Sequence, residues 1–108
     1  MKQILEGSFD FSVRAIELVR YLNEEKKSFP LCERFLKCAT GIGISLRIAQ
    51  LTDGKSFGYG SLALSYAVEA EYLLEIMVIT GCLQEKQSQP IIDDCHVLKD
   101  AIAKYIQK

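Results

Sequence analysis

The side chains in this sequence that could do chemistry are three glutamates in one stretch, a single histidine and four scattered cysteines. Glu71 and Glu75 lie one helical turn apart, with Glu69 close by. Inward carboxylates of this kind hold two irons in some helical bundles, but those sites also need Glu-x-x-His motifs from two helices. The chain has no Glu-x-x-His. An acidic stripe facing solvent or a neighbour, or ion pairs to Arg14, Arg34 or Arg47, is the expectation instead. Cys32, Cys38, Cys82 and Cys95 form no C-x-x-C pair, so no zinc or dithiol spacing is present. His96 follows Cys95 directly, and on a helix the two point about 100° apart, a poor geometry for a nucleophile and its base. Gly54-Lys55-Ser56 resembles the end of a phosphate-binding loop, yet Ala49 stands where that motif needs its first glycine and no strand precedes it. It reads as a turn. Gly41 and Gly43 form a lone G-x-G without the third glycine of a dinucleotide site. No catalytic, cofactor or metal constellation assembles from these spacings, so the reading is non-enzymatic.

The cations are the remaining candidates. Arg14, Arg20, Arg34, Lys37 and Arg47 all fall in the first half of the chain. Repeated by symmetry in an oligomer, they could follow an RNA phosphate backbone. The net charge of −1 argues against a strongly basic binder working alone.

Four amphipathic segments must position these residues. Phe11, Ala15, Leu18 and Leu22 recur at helical steps, with Val13, Ile16 and Val19 widening the seam and Ser8 or Asp10 available as N-cap. Phe35, Ala39, Ile42, Leu46 and Ala49 make a second seam behind Pro30. Its two interior glycines, Gly41 and Gly43, cost about 1 kcal/mol each against alanine, which close approach by other helices would offset. Asp53-Gly54, Gly58 and Gly60 mark a turn. Ser88 and Pro90 suit the start of the last helix, whose seam is Ile91, Cys95, Leu98, Ile102 and Tyr105. The expected fold is all-α: one domain over 1–108, an up-down-up-down antiparallel four-helix bundle with helices at about 9–27, 31–51, 59–81 and 90–107.

The third of these segments is unlike the others. Leu62–Thr80 is apolar nearly all round, so it must be covered nearly all round. Leu62, Tyr66, Ala70, Leu73 and Met77 form one face for the bundle. Val68, Tyr72, Ile76 and Ile79 form another, for which a second subunit is the expected cover. A membrane span is excluded by its glutamates, since a charge near the bilayer centre costs roughly 2.5–3.5 kcal/mol. The first twelve residues lack the apolar core of a secretory signal, which together with the scattered cysteines suggests a cytoplasmic protein.

The sequence resembles the small bacterial proteins historically labelled 23S rRNA intervening-sequence proteins, a ribosomal-protein-like family. The likeness runs from about Phe9 to Ile106. Phe11-Ser12-Val13-Arg14 resembles the family's first helix, Phe29-Pro30 and Phe35-Leu36 the entry to its second, and Thr40-Gly41-Ile42-Gly43 its T-S-I-G. Glu69, Tyr72, Leu74 and Glu75 are similar to its E-x-x-Y-W-L-E, and Gly81-Cys82-Leu83 to its closing segment. Gly41, Ile44, Ser45 and Ile48 depart from the family's serine, alanine, asparagine and glutamate. The resemblance implies a four-helix bundle, a homo-oligomer that is a pentamer in family fashion, and no enzyme activity. Its relatives include accessory proteins of diversity-generating retroelements, so it also implies association with RNA or a nucleoprotein. A protein–protein scaffold without nucleic acid is the alternative.

Overall fold

The computed structural model describes residues 1–27, 29–52 and 58–107. They form four helices, α1 (Lys2–Glu24), α2 (Cys32–Leu51), α3 (Gly58–Ile79) and α4 (Glu85–Ile106). Each packs on its neighbours in sequence, and α1 packs on α4 to close a square with no diagonal contact among the described residues. The result is an all-α, up-down-up-down bundle 44 Å long and less than 20 Å across. The Gly54-Lys55-Ser56 turn lies outside the described residues.

The α2 seam is buried as its pattern predicts: Phe35, Ala39, Ile42, Leu46 and Ala49 all face inward. Both of its glycines are explained by close approach. A Cβ on Gly43 would stand 3.3 Å from the Ser8 hydroxyl of α1, and one on Gly41 would lie 2.8 Å from the Tyr66 ring of α3. Thus α2 touches one neighbour through Gly43 and the other through Gly41. On α4, Ile91, Cys95, Leu98 and Ile102 are buried, and Tyr105 is half-buried.

Helix ends differ from expectation at three places, each for a local reason. α1 begins at Lys2, so Ser8 and Asp10 are not caps. Ser8 is buried mid-helix, its hydroxyl donating to the Leu5 carbonyl at 2.9 Å, a bond that lets serine sit inside a helix. α1 then stops at Glu24, before the expected 27. Lys26 adopts φ 55°, and the N–H groups of Lys26 and Lys27 return to the carbonyls of Asn23 and Leu22. This is a Schellman ending built without glycine. Gly81, at φ 84°, ends α3 the same way, with the Cys82 and Gly81 N–H groups on Met77 and Val78. α4 starts five residues before Pro90, which lies inside it. The operative start signal is Gln84 with Gln87, whose side-chain oxygen accepts the Gln84 N–H at 3.3 Å in a capping-box arrangement. Gly58 and Gly60, expected as breakers, open α3; a Cβ on Gly60 would meet Ile106 at 2.8 Å.

The inward face of α3 is also corrected. It consists of Gly60, Ala63, Ala67, Ala70, Leu73, Leu74 and Met77, while Leu62 is exposed and Tyr66 only half-buried. The helix turns its smallest residues toward the bundle, where they allow close packing. On α1, Val13 and Ile16 do not widen the seam; both are exposed.

Candidate functional site

The five cations singled out in the sequence do not share one surface. Arg14 forms an ion pair with Asp94 in the groove between α1 and α4. Arg34 pairs with Glu69 across the groove between α2 and α3. The Arg47 guanidinium sits 5.7 Å from the Phe9 ring centre, on the α1/α2 side. Arg20 and Lys37 are exposed, and no ion pair is found for either among the described residues, although Lys37 lies near enough to Glu69 for its charge to favour the carboxylate. α1 and α2 run antiparallel, with the Ser12 hydroxyl on the Ala39 carbonyl at 3.2 Å. Arg47, Lys37 and Arg20 therefore occur at successive levels along this pair of helices.

A cavity of about 560 Å³ between α2 and α3 is lined by Glu33, Arg34, Lys37, Cys38, Tyr66 and Glu69. Inside it the Cys38 thiol donates to Glu69 Oε2 at 2.8 Å. Burial pushes this thiol up to about 12, and the bond to Glu69 adds to the effect. Cys38 is accordingly a protonated donor at neutral pH and not a thiolate nucleophile. Glu69 is held below the ordinary carboxylate value, first by that thiol and then by Arg34.

The groove between α3 and α4 holds the second acidic centre. Glu71 Oε2 lies 2.8 Å from His96 Nδ1, and Lys99 Nζ donates to Glu71 Oε1 at 3.0 Å. Burial opposes ionisation of Glu71, but the hydrogen bonds from His96 and Lys99, with their charges, outweigh it and keep the carboxyl below its usual value. Cys95, in the same seam, is pushed up to about 12, by burial first and then by Glu71. Its thiol meets the Ala67 carbonyl at 3.6 Å, sealed in the core. Because the folded carboxyl of Glu71 titrates below the unfolded value of about 4.3, its contribution is complete above that pH and disappears as pH falls through the folded value. Glu71→Gln is therefore expected to cost on the order of 1 kcal/mol at pH 7. The gap to the parent should narrow as pH falls below the ordinary carboxylate value, in urea titrations followed by circular dichroism.

Among the described residues no three His, Cys, Asp or Glu side chains come together as metal ligands. None of their helices is long and apolar enough to cross a membrane. Of the subunit-interface candidates, Val68, Tyr72 and Ile79 are exposed, whereas Ile76 is half-buried against the core. At the four positions of departure, Gly41 lies under Tyr66, Ser45 is buried, Ile48 is half-buried and Ile44 faces out. Sequence reasoning missed Asp94, Lys99 and Phe9 as partners of Arg14, Glu71 and Arg47. No local pattern encodes these contacts between helices.

No protein-family model matches the chain, and neither does any curated protein. Solved structures do match. One is the crystal structure of a protein of unknown function from the S23 ribosomal protein family of Bacteroides thetaiotaomicron, with a TM-score of 0.90 and 26% identity. The match covers 97% of this chain and 99% of that one. Fold and residues together support a likeness to a ribosomal-protein-like family over essentially the full length.

Proposed function

We propose that this protein is a non-enzymatic, oligomeric helical bundle that associates with RNA or a nucleoprotein as an accessory protein of the 23S rRNA intervening-sequence type. The observation that carries the reading is the pair of exposed cations Arg20 and Lys37 on the α1/α2 side, for neither of which an ion pair is found among the described residues. The likeness to a protein of the S23 ribosomal protein family supports it. The mechanism is electrostatic: a few cations per subunit, multiplied by assembly in the cytoplasm, replace counterions along a phosphate backbone. Arg14 and Arg34 contribute less, because Asp94 and Glu69 already engage them.

Fluorescence anisotropy with a labelled structured RNA tests this at two salt concentrations. Binding should weaken by at least about tenfold between 50 and 200 mM salt, and Arg20→Glu with Lys37→Glu should abolish it. Absent or salt-independent binding would overturn the reading. The alternative is a protein–protein scaffold, favoured by the large apolar side chains exposed on α1, α2 and α3. A scaffold would keep its partner in that double variant.

A further inference from the structure

Gly41, Gly43 and Gly60 stand where a side chain of another helix comes so close that a Cβ would press on it, at 3.3 Å or less. Gly7 of α1 is different. The nearest atom that a Cβ there would meet on another helix is Leu98 Cδ1 of α4, at 3.9 Å, an ordinary van der Waals distance. Glycine inside a helix is less favourable than alanine. Close packing offsets that cost at the other three positions, and nothing in the chain offsets it at Gly7.

Gly7 borders a cavity of about 400 Å³ in the groove between α1 and α4, the pair of adjoining helices that packs least extensively. Ile4, Gly7, Phe11, Val97, Leu98 and Ala101 line it, and Asp10 and Asp94 are its charged groups. Phe11 and Leu98 are buried, whereas Val97 is 69% exposed. A mostly apolar cavity of this size with a few polar groups set in it has the usual form of a small-molecule site. The two helices run antiparallel, with Arg14 beside Asp94 and Gly7 beside Leu98. Asp10 and Asp94 therefore mark one end of the groove, and Ile4 and Ala101 the other. From Asp10 to Ile4 it runs about 9 Å. Arg14 already engages Asp94. No ion pair is found for Asp10 among the described residues.

We infer that the α1/α4 groove binds a small organic cation with an apolar body, an aralkyl amine in class. Its ammonium group meets Asp10, and its apolar body lies over Gly7 toward Ile4 and Ala101. The two carboxylates repel an anion. A neutral apolar molecule would cover part of Asp10 without supplying a counter-charge. Gly7 keeps open the space that a side chain would fill. The site is separate from Arg20 and Lys37 and depends neither on RNA nor on assembly.

Straight-chain phenylbutylamine is the probe, with the alcohol and the carboxylate of the same skeleton as its neutral and anionic counterparts. In amide NMR titrations the amine should bind with a dissociation constant of about 5 mM or below, shifting the signals of Gly7, Phe11, Leu98 and Ala101. The alcohol should bind about threefold more weakly, and the carboxylate more weakly still. Asp10→Asn should remove the advantage of the amine over the alcohol. Gly7→Leu fills the space and should abolish binding of both; Ala101→Leu replaces it if far-UV circular dichroism shows that it does not fold. Gly7→Ala gives an independent readout. With room for its Cβ it should raise the urea midpoint, whereas at a packing glycine the same change would lower it. Failure of the amine to bind, equal affinity for the three probes, shifts elsewhere on the bundle, binding retained in the filled variant, or a lowered midpoint in Gly7→Ala would each overturn the site.

Discussion

Phe35→Ala is expected to lower the unfolding free energy by about 3–5 kcal/mol, the usual loss for a buried aromatic in a core that cannot collapse around the space. Phe35 is 0% exposed. It sits in the first turn of α2, at the end of the bundle where α1 and α3 finish and α4 starts. Phe29, Leu22, Met77 and Leu83 belong to the same core cluster. Phe29 and Leu83 come from the connections, so this core includes residues of the loops as well as of the helices. A domain of this size has a total stability of roughly 5–15 kcal/mol, so about a fifth of it or more should be lost. Urea titration should show a lower midpoint with an unchanged slope. Phe9→Ala is the matched control: the same residue type, more than half exposed, and expected to change monomer stability by no more than about 0.5 kcal/mol. Equal effects at the two sites would contradict this division between core and surface.

Why α2 and α4 could be read in the sequence while α3 could not is a matter of contrast. Phe35, Ala39, Ile42, Leu46 and Ala49 recur at steps of four and three, with Arg34, Lys37, Arg47 and Gln50 off the seam, so periodicity selects the buried face. α3 is apolar around its circumference, and periodicity then has nothing to select. Packing chose the small residues, moving the inward face off Leu62 and Tyr66. Ser8 and Ser88 were misleading as helix starts because serine serves two ends. Its hydroxyl caps free N–H groups, but it also bonds a carbonyl one turn back, as both do here to Leu5 and Glu85. Part of the cation pattern was legible too. Arg14 and Arg20 are six residues apart, about 240° around a helix, so no single α1 face could present both. What pitch cannot supply is the partner. That Arg14 meets Asp94, and Glu71 meets Lys99, depends on which helices adjoin and at what level, and this is settled only when four seams pack at once.

Ala67→Leu should destabilise the bundle by about 1–3 kcal/mol through overpacking, although leucine is the better buried residue by transfer energy and an excellent helix former. Ala67 is fully buried, and its carbonyl accepts the Cys95 thiol of α4 at 3.6 Å. The added carbons have no space unless α4 moves outward, and Cys95, Leu98 and Ile102 would move with it. Val68→Leu, one residue along on the outward side, adds one carbon where there is room and should fall within about 0.5 kcal/mol. Both are best measured at a protein concentration where light scattering gives a monomer, so that association does not add to apparent stability. Opposite outcomes at adjacent positions of one apolar helix would establish that its small residues are a packing requirement, and that its large ones answer to something outside the monomer. If Ala67→Leu proved stabilising instead, the α3/α4 seam would have room to spare, and the exposure of Val68, Tyr72 and Ile79 would lose its strongest explanation.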